Sequence, residues 1–235
     1  MINTNQGRFY DVNGLSLPSV TTILGMLQKP ALIPWAAKIT AEACQDYIYT
    51  HGQHDVISGT VSLTAEDVDD MVTVSKKAHR TKKREAADIG TAIHEAIALW
   101  IDTGGRYMPD DPADCRYIGL QSFLSFGEEH DLQIINSEQV VSDGKTYAGR
   151  YDLLCRLDGS LTLLDIKTSS GIYPEMWFQL HAYAACIKPR PKHLAVFLID
   201  KVTGSYRTEF KPFDTSIIKG FRLLARAYPI IKGVK

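Results

Sequence analysis

Two aspartates and a lysine carry the first chemical signal in this chain. Asp152 closes the run Gly149-Arg150-Tyr151-Asp152, and Asp165-Ile166-Lys167 follows thirteen residues later. The Asp158-Gly159 pair lies between them, flanked by apolar alternation, which is the strongest short-range signal for a β-hairpin. A two-residue loop there pairs Leu157 with Ser160, so that cross-strand partners sum to 317 and Asp152 faces Asp165. Two carboxylates roughly 5 Å apart on one face repel each other and call for a cation. Side chains alternate along a strand, so Lys167 shares the face of Asp165 while Ile166 turns toward a core. An acidic pair and an ammonium on rigid strands suit a divalent cation and a polarised water. An exposed hairpin with solvated charges is the better account of a lone Asp-x-Lys; the opposed Asp152 and the glycine three residues before it shift the balance toward a site.

The surrounding elements follow from periodicity. Residues 8–17 form a hairpin turning at Asn13-Gly14, and Ser19 caps a helix beginning Pro18-Ser19-Val20-Thr21. A helix start with free N–H groups and hydroxyls can hold a phosphate, and a capped helix with Val20, Ile23, Leu24 and Leu27 in the core fits the same residues. Helical spacing recurs over 33–49 and again over 64–87, with 51–60 as a loop between them. The later helix is acidic at its start (Glu66, Asp67, Asp69, Asp70) and basic at its end (Lys76, Lys77, Arg80, Lys82, Lys83, Arg84). That order complements the helix dipole; a phosphate-contacting patch that includes Lys82, Lys83 and Arg84 is the functional alternative.

A further helix opens at Gly90 and reaches about Asp102, with His94 on the flank of its buried stripe. A lone histidine there is more often a satisfied core residue than a ligand. Residues 116–130 are helical and lead into a strand over 132–141. Two-residue turning at Asp143-Gly144 pairs Glu138 with Gly149 and puts it on the face opposite Asp152, so Glu138 joins the site only through a bulge. Gly144-Lys145-Thr146 lacks the glycine and the strand-to-helix context of a phosphate loop. Residues 174–188 form a helix with Gln179 and Tyr183 on one face. A buried strand over 193–200, its antiparallel partner over 204–210 and a closing helix over 214–231 complete the chain.

Composition sets the outer bounds. The chain has 235 residues, 45% hydrophobic and 23% charged, with a formal net charge of −1. That suits one soluble domain, residues 1–235, mainly helical over 1–130 and rich in sheet over 131–235. A nearly neutral chain that binds nucleic acid must do so through local positive potential. Cys44, Cys115, Cys155 and Cys186 are scattered singly, which suits reduced core thiols. No apolar run approaches the roughly 20 residues of a membrane span, and no apolar leader opens the chain, so a cytoplasmic location in a bacterial or phage-infected cell is expected.

In order, His94, Asp152, Asp165, Lys167, Gln179 and Tyr183 resemble the pattern of the PD-(D/E)xK nuclease superfamily, specifically its RecB-like exonuclease branch. The matching pieces are Gly-Thr-x-x-His, Gly-x-x-Asp, Asp-x-Lys and Gln-x-x-x-Tyr. The Pro18-Ser19-Val20-Thr21 segment is similar to one in phage-type members and in the mitochondrial genome maintenance exonuclease. This resemblance implies an α/β fold with a restriction-endonuclease-like core, a central mixed sheet flanked by helices and a helical amino-terminal part. It further implies Mg²⁺ or Mn²⁺ held by His94, Asp152, Asp165 and the main-chain carbonyl of Ile166. Lys167 is then expected to orient or activate water, and Gln179, Tyr183, Ser19 and Thr21 to support the site or contact DNA. No iron-sulfur cluster is expected, because the four-cysteine set of some RecB-like nucleases is missing.

The expected activity is a metal-dependent DNA exonuclease acting on free ends in repair, recombination or phage-type replication, with a recombination or replication protein as a possible partner. A structure- or sequence-specific endonuclease of the same fold and a silent DNA-binding or assembly module are the alternatives.

Overall fold

The computed structural model describes residues 1–4 and 7–233. They divide into two compact units, one of residues 28–88 and one combining residues 1–27 with the segment from Ile89 onward.

The larger unit begins with a three-stranded antiparallel sheet of β1 (Ile2–Thr4), β2 (Gly7–Val12) and β3 (Leu15–Pro18). Asn13 and Gly14 have φ of 53° and 80°, the left-handed pair that a tight two-residue hairpin loop requires. Helix α1 (Val20–Leu24) follows, capped by Ser19, whose Oγ accepts from the Thr22 N–H at 3.0 Å. Val20 and Ile23 are fully buried.

The smaller unit holds α2 (Leu32–His51), the strands β4 (Gln53–Asp55) and β5 (Thr60–Ser62), and the first part of α3 (Ala65–Asp102). Where the sequence suggests a plain loop over 51–60, the chain forms a hairpin, because the Asp55 carboxylate accepts from the Ile57 and Ser58 N–H groups and closes the turn. A second correction concerns α3. The two helices expected over 64–87 and 90–102 are one, since a single glycine inside a strong helical pattern costs about 1 kcal/mol and is tolerated.

The main sheet belongs to the larger unit and has five strands in the order β12-β11-β10-β9-β6. These are β6 (Leu132–Ser137), β9 (Leu153–Leu157), β10 (Ser160–Lys167), β11 (His193–Ile199) and β12 (Tyr206–Pro212). Only β10 and β11 run parallel, joined by the crossover helix α5 (Pro174–Ala184), so the sheet is mixed as expected. Alternation along the strands feeds two cores. Leu154, Leu163, Leu194 and Val196 face one way, with α1, α5 and α6 (Thr215–Lys232) supplying Ile23, Trp177, Leu180 and Phe221. Leu153, Leu164, Ile166 and Phe197 face the other way, against Ile93 and Ile97 of α3 and Leu120, Phe123 and Phe126 of α4 (Cys115–Glu129).

The strand expected over 132–141 is interrupted. It runs as β6 and then, after Glu138, as β7 (Val140–Ser142), which pairs with β8 (Ala148–Arg150) in a separate two-stranded ladder. Glu138 sits at the break with φ of 54°, a conformation that costs a non-glycine residue roughly 1–2 kcal/mol. Strain of this kind tends to be retained where a side chain must be aimed.

Candidate active site

The β9–β10 hairpin has the expected register. Ser160 pairs with Leu157 and Leu164 with Leu153, and Asp158 and Gly159 have φ of 51° and 75°. The paired ladder stops one step short of Asp152 and Asp165. At that end the strands part, and Asp152 Oδ2 accepts from the Ile166 main-chain N–H at 2.7 Å. The carboxylate thus caps the backbone of β10 beside Asp165.

Asp165 is 1% exposed and makes two polar contacts. Its Oδ2 lies 2.6 Å from Lys167 Nζ, and its Oδ1 accepts from Gln179 Nε2 at 2.9 Å. Burial raises the Asp165 carboxyl above the ordinary carboxylate range, the Lys167 ammonium pulls it back, and Asp152 pushes it up again. For Lys167 burial acts downward, but Asp165 and Asp152 outweigh it and hold the ammonium above its usual value. Lys167 is therefore a cation at neutral pH, able to donate hydrogen bonds and to stabilise negative charge.

Tyr183, one turn beyond Gln179 on α5, closes the floor. Its ring lies against Gly149, where a Cβ would come within 2.3 Å of the ring carbon Cε1. The glycine of Gly-x-x-Asp is thus required by close approach to an aromatic face. Burial lifts the Tyr183 hydroxyl well above its ordinary pKa, helped by Asp165 and Asp152. Gly90 plays a similar part on α3, where an added Cβ would lie 2.9 Å from Thr168 Oγ1 just beyond β10. This places His94, one turn on, toward the end of the sheet, with Nδ1 3.6 Å from Asp152 Oδ2.

Glu138 is the correction at the site. A two-residue loop at Asp143-Gly144 would set it opposite Gly149, but the loop runs from 143 to 147 and pairs Ser142 with Ala148 and Val140 with Arg150. The Asp143 carboxylate organises this wider turn, with Oδ1 accepting from the N–H groups of Lys145, Thr146 and Tyr147 and Oδ2 from the Thr146 hydroxyl. The register moves by three, and an odd shift reverses which face a side chain occupies. Glu138 N–H now donates to the Asp152 carbonyl at 3.0 Å, and a bulge at Ile135 brings β6 into the same register. His94, Glu138 and Asp152 then form, among the described residues, a set whose ligand atoms all lie within 4.8 Å of one another. Asp165 is outside that set. A cavity of about 10 Å³, about the room one water takes, lies against these three residues and Ile166.

A groove of about 620 Å³ opens over the cluster. Ser19 and Thr21 line it with Arg8 and Tyr10, and so do Gly90, Thr91, His94, Glu138, Arg150, Asp152, Gln179 and Tyr183. Ser19 is 2% exposed, and its Oγ is shared between the Thr22 cap, Thr21 Oγ1 and Thr22 Oγ1. Arg150, which the motif pattern passes over, pairs through Nε with Glu138 Oε2 at 2.8 Å. Local spacing carries no signal for that pairing, which depends on the β7–β8 register. Lys82, Lys83 and Arg84 are exposed residues of the unit 28–88, where Lys82 Nζ lies 3.7 Å from Glu42 Oε2.

No protein-family model and no curated protein matches the chain. Among solved structures it is similar to an alkaline exonuclease, LHK-Exo, from Laribacter hongkongensis, at 14% identity and a TM-score of 0.40 over 62% of this chain and 84% of that one. The same exonuclease in complex with dAMP is similar at 14% identity and a TM-score of 0.37, over 59% of this chain and 76% of that one.

Proposed function

We propose that this chain is a divalent-metal-dependent deoxyribonuclease that hydrolyses phosphodiester bonds from free DNA ends, in repair, recombination or phage-type replication. The observation that supports it is the convergence, at one end of a sheet and beneath a groove, of His94, Glu138 and Asp152 with the buried Asp165–Lys167 pair.

One imidazole nitrogen and carboxylate oxygens within a few ångströms suit Mg²⁺ or Mn²⁺, and the imidazole inclines the set toward Mn²⁺. His94, Glu138 and Asp152 would hold the ion, with Asp165 and the Ile166 carbonyl as the further oxygens the resemblance implies. When bound, such an ion polarises a phosphoryl oxygen and acidifies a coordinated water. Lys167, 2.6 Å from Asp165, would orient or activate the attacking water and stabilise charge developing on the phosphate. Gln179 fixes Asp165, which in turn aims the ammonium. Thr21 offers its hydroxyl to the DNA backbone in the groove while the buried Ser19 supports it by capping α1, and Lys82, Lys83 and Arg84 are phosphate contacts of their own unit.

The test is hydrolysis of end-labelled linear and covalently closed circular DNA with Mg²⁺ or Mn²⁺. Linear DNA is degraded and the circle spared, and Lys167→Ala and Asp152→Asn each slow cleavage by roughly a thousandfold with an unchanged circular dichroism spectrum. Equal cutting of the circle would make the enzyme an endonuclease. Metal binding without hydrolysis of any linear substrate would make the chain a DNA-binding module, and unchanged cleavage by both variants would sink the mechanism.

A further inference from the structure

The groove over the cluster presents a charge problem. Its lining carries the carboxylates of Glu95, Asp102, Glu138 and Asp152 against two guanidinium groups, Arg8 and Arg150. A DNA strand entering such a groove meets net negative charge unless cations are made available to it. Arg150 is one of the two available, and Glu138 already engages it.

We propose that Arg150 serves two partners, the Glu138 carboxylate and a DNA phosphate, and that a divalent ion held by His94, Glu138 and Asp152 would shift it from the first to the second. The inference rests on the metal-dependent nuclease reading and adds a positioning residue to it. Three features carry it. Arg150 Nε lies 2.8 Å from Glu138 Oε2, and that same carboxylate belongs to the cluster with His94 and Asp152, so ion pair and metal compete for one group. The Arg150 side chain is 48% exposed, which leaves it free to swing without unpacking a core. The guanidinium fork fits a carboxylate and a phosphate with the same geometry, so one contact replaces the other at little cost. The exchange also keeps charge balanced, since the Glu138 carboxylate would be neutralised by a bound divalent ion and the Arg150 guanidinium would then neutralise a phosphate.

The test uses the full-length protein in two measurements. Mn²⁺ binding, followed by electron paramagnetic resonance, is compared for wild type, Arg150→Gln, Glu138→Gln and the double variant. Arg150→Gln is expected to bind Mn²⁺ roughly three- to tenfold more tightly because its competitor for Glu138 is gone, and this gain vanishes in the Glu138→Gln background. Binding of an end-bearing duplex is then measured against salt with Ca²⁺ as the divalent ion, where Arg150→Gln lowers the slope of log affinity on log salt by about one.

Unchanged Mn²⁺ affinity and salt slope in Arg150→Gln, with normal Mn²⁺ binding by wild type, overturns the exchange and leaves a static ion pair. Equal tightening in the Glu138→Gln background also overturns it, since Arg150 then acts through space. A wild-type protein that binds no Mn²⁺ removes the metal reading itself, and the exchange with it.

Discussion

Two hairpins of the larger unit begin with the same dipeptide and use it differently. In β9–β10, Asp158 and Gly159 are the whole loop, both in the left-handed region, and Leu157 pairs with Ser160 across them. In β7–β8, Asp143-Gly144 opens a loop of residues 143–147, and only Gly144 is left-handed, with φ of 76°. The difference lies in what each aspartate does. The Asp158 carboxylate reaches away from its own turn to His130 Nδ1 at 2.8 Å and to the Asp131 N–H, leaving the turn minimal. The Asp143 carboxylate folds back onto three N–H groups and a hydroxyl of its own loop, which widens it. One hairpin delivers Asp165 and Lys167, and the other delivers Glu138. A turn's register therefore depends on where its side-chain acceptor finds donors as well as on its dipeptide.

This contrast can be broken at either end. Asp143→Ala removes the acceptor that holds the wide turn, so stability falls by about 2–3 kcal/mol and Glu138 loses its place opposite Asp152. Denaturant unfolding reads the first effect, and a Mn²⁺ affinity lowered by roughly tenfold or more reads the second. Unchanged Mn²⁺ affinity would show that the turn does not aim Glu138. Gly159→Ala strains the narrow turn at φ of 75° and costs about 1 kcal/mol, a fall in Tm of roughly 2–4 °C. Because the five-pair ladder from Leu157–Ser160 to Leu153–Leu164 holds the register whatever the strain at the turn, Mn²⁺ binding stays as in wild type; a loss there would join the two turns into one device.

The smallest effect is in acid. Burial acts to raise the Asp143 carboxyl, but hydrogen bonds from Thr146, Lys145 and Tyr147 outweigh it and hold it below its ordinary value of 3.8. Asp158 is lowered by His130 first and by the Asp131 N–H next. A carboxylate whose folded pKa lies below its unfolded one stabilises the fold fully above about pH 4, and this contribution is lost as pH falls through the lowered value. Unfolding free energy should thus drop below about pH 4, more shallowly in Asp143→Ala, as denaturation at stepped pH would record. An identical acid slope in that variant would show that the wide turn is not held by an ionised aspartate.

Much of the architecture was legible in local sequence because it rests on local physics. The Asp158-Gly159 and Asn13-Gly14 turns, the Ser19 cap, and the alternation that buries Ile166 while turning Asp165 and Lys167 the other way all follow from interactions within a few residues. The ordered spacing of His94, Asp152, Asp165, Lys167, Gln179 and Tyr183 was likewise visible in the chain. The continuity of α3 through Gly90 was less so, since a glycine signals either a break or a tolerated defect. The glycine's second role, its approach to Thr168, belongs to the tertiary structure.

What residue order determined by itself, then, is the set of groups that can do chemistry and the strand that carries Asp165 and Lys167, because side-chain alternation and a two-residue turn are properties of a short peptide. What only the tertiary structure decided is which of those groups meet. Glu138 reaches His94 and Asp152 because the Asp143 loop and the bulge at Ile135 set a register that no dipeptide signal contains, and Gly149 is needed because the Tyr183 ring from α5 lies on it. Arg150 acquires its role in the same way, from a carboxylate twelve residues earlier that only this register brings within 2.8 Å. Register and interhelix approach depend on contacts distant in sequence, and those contacts assemble the separate groups into one site.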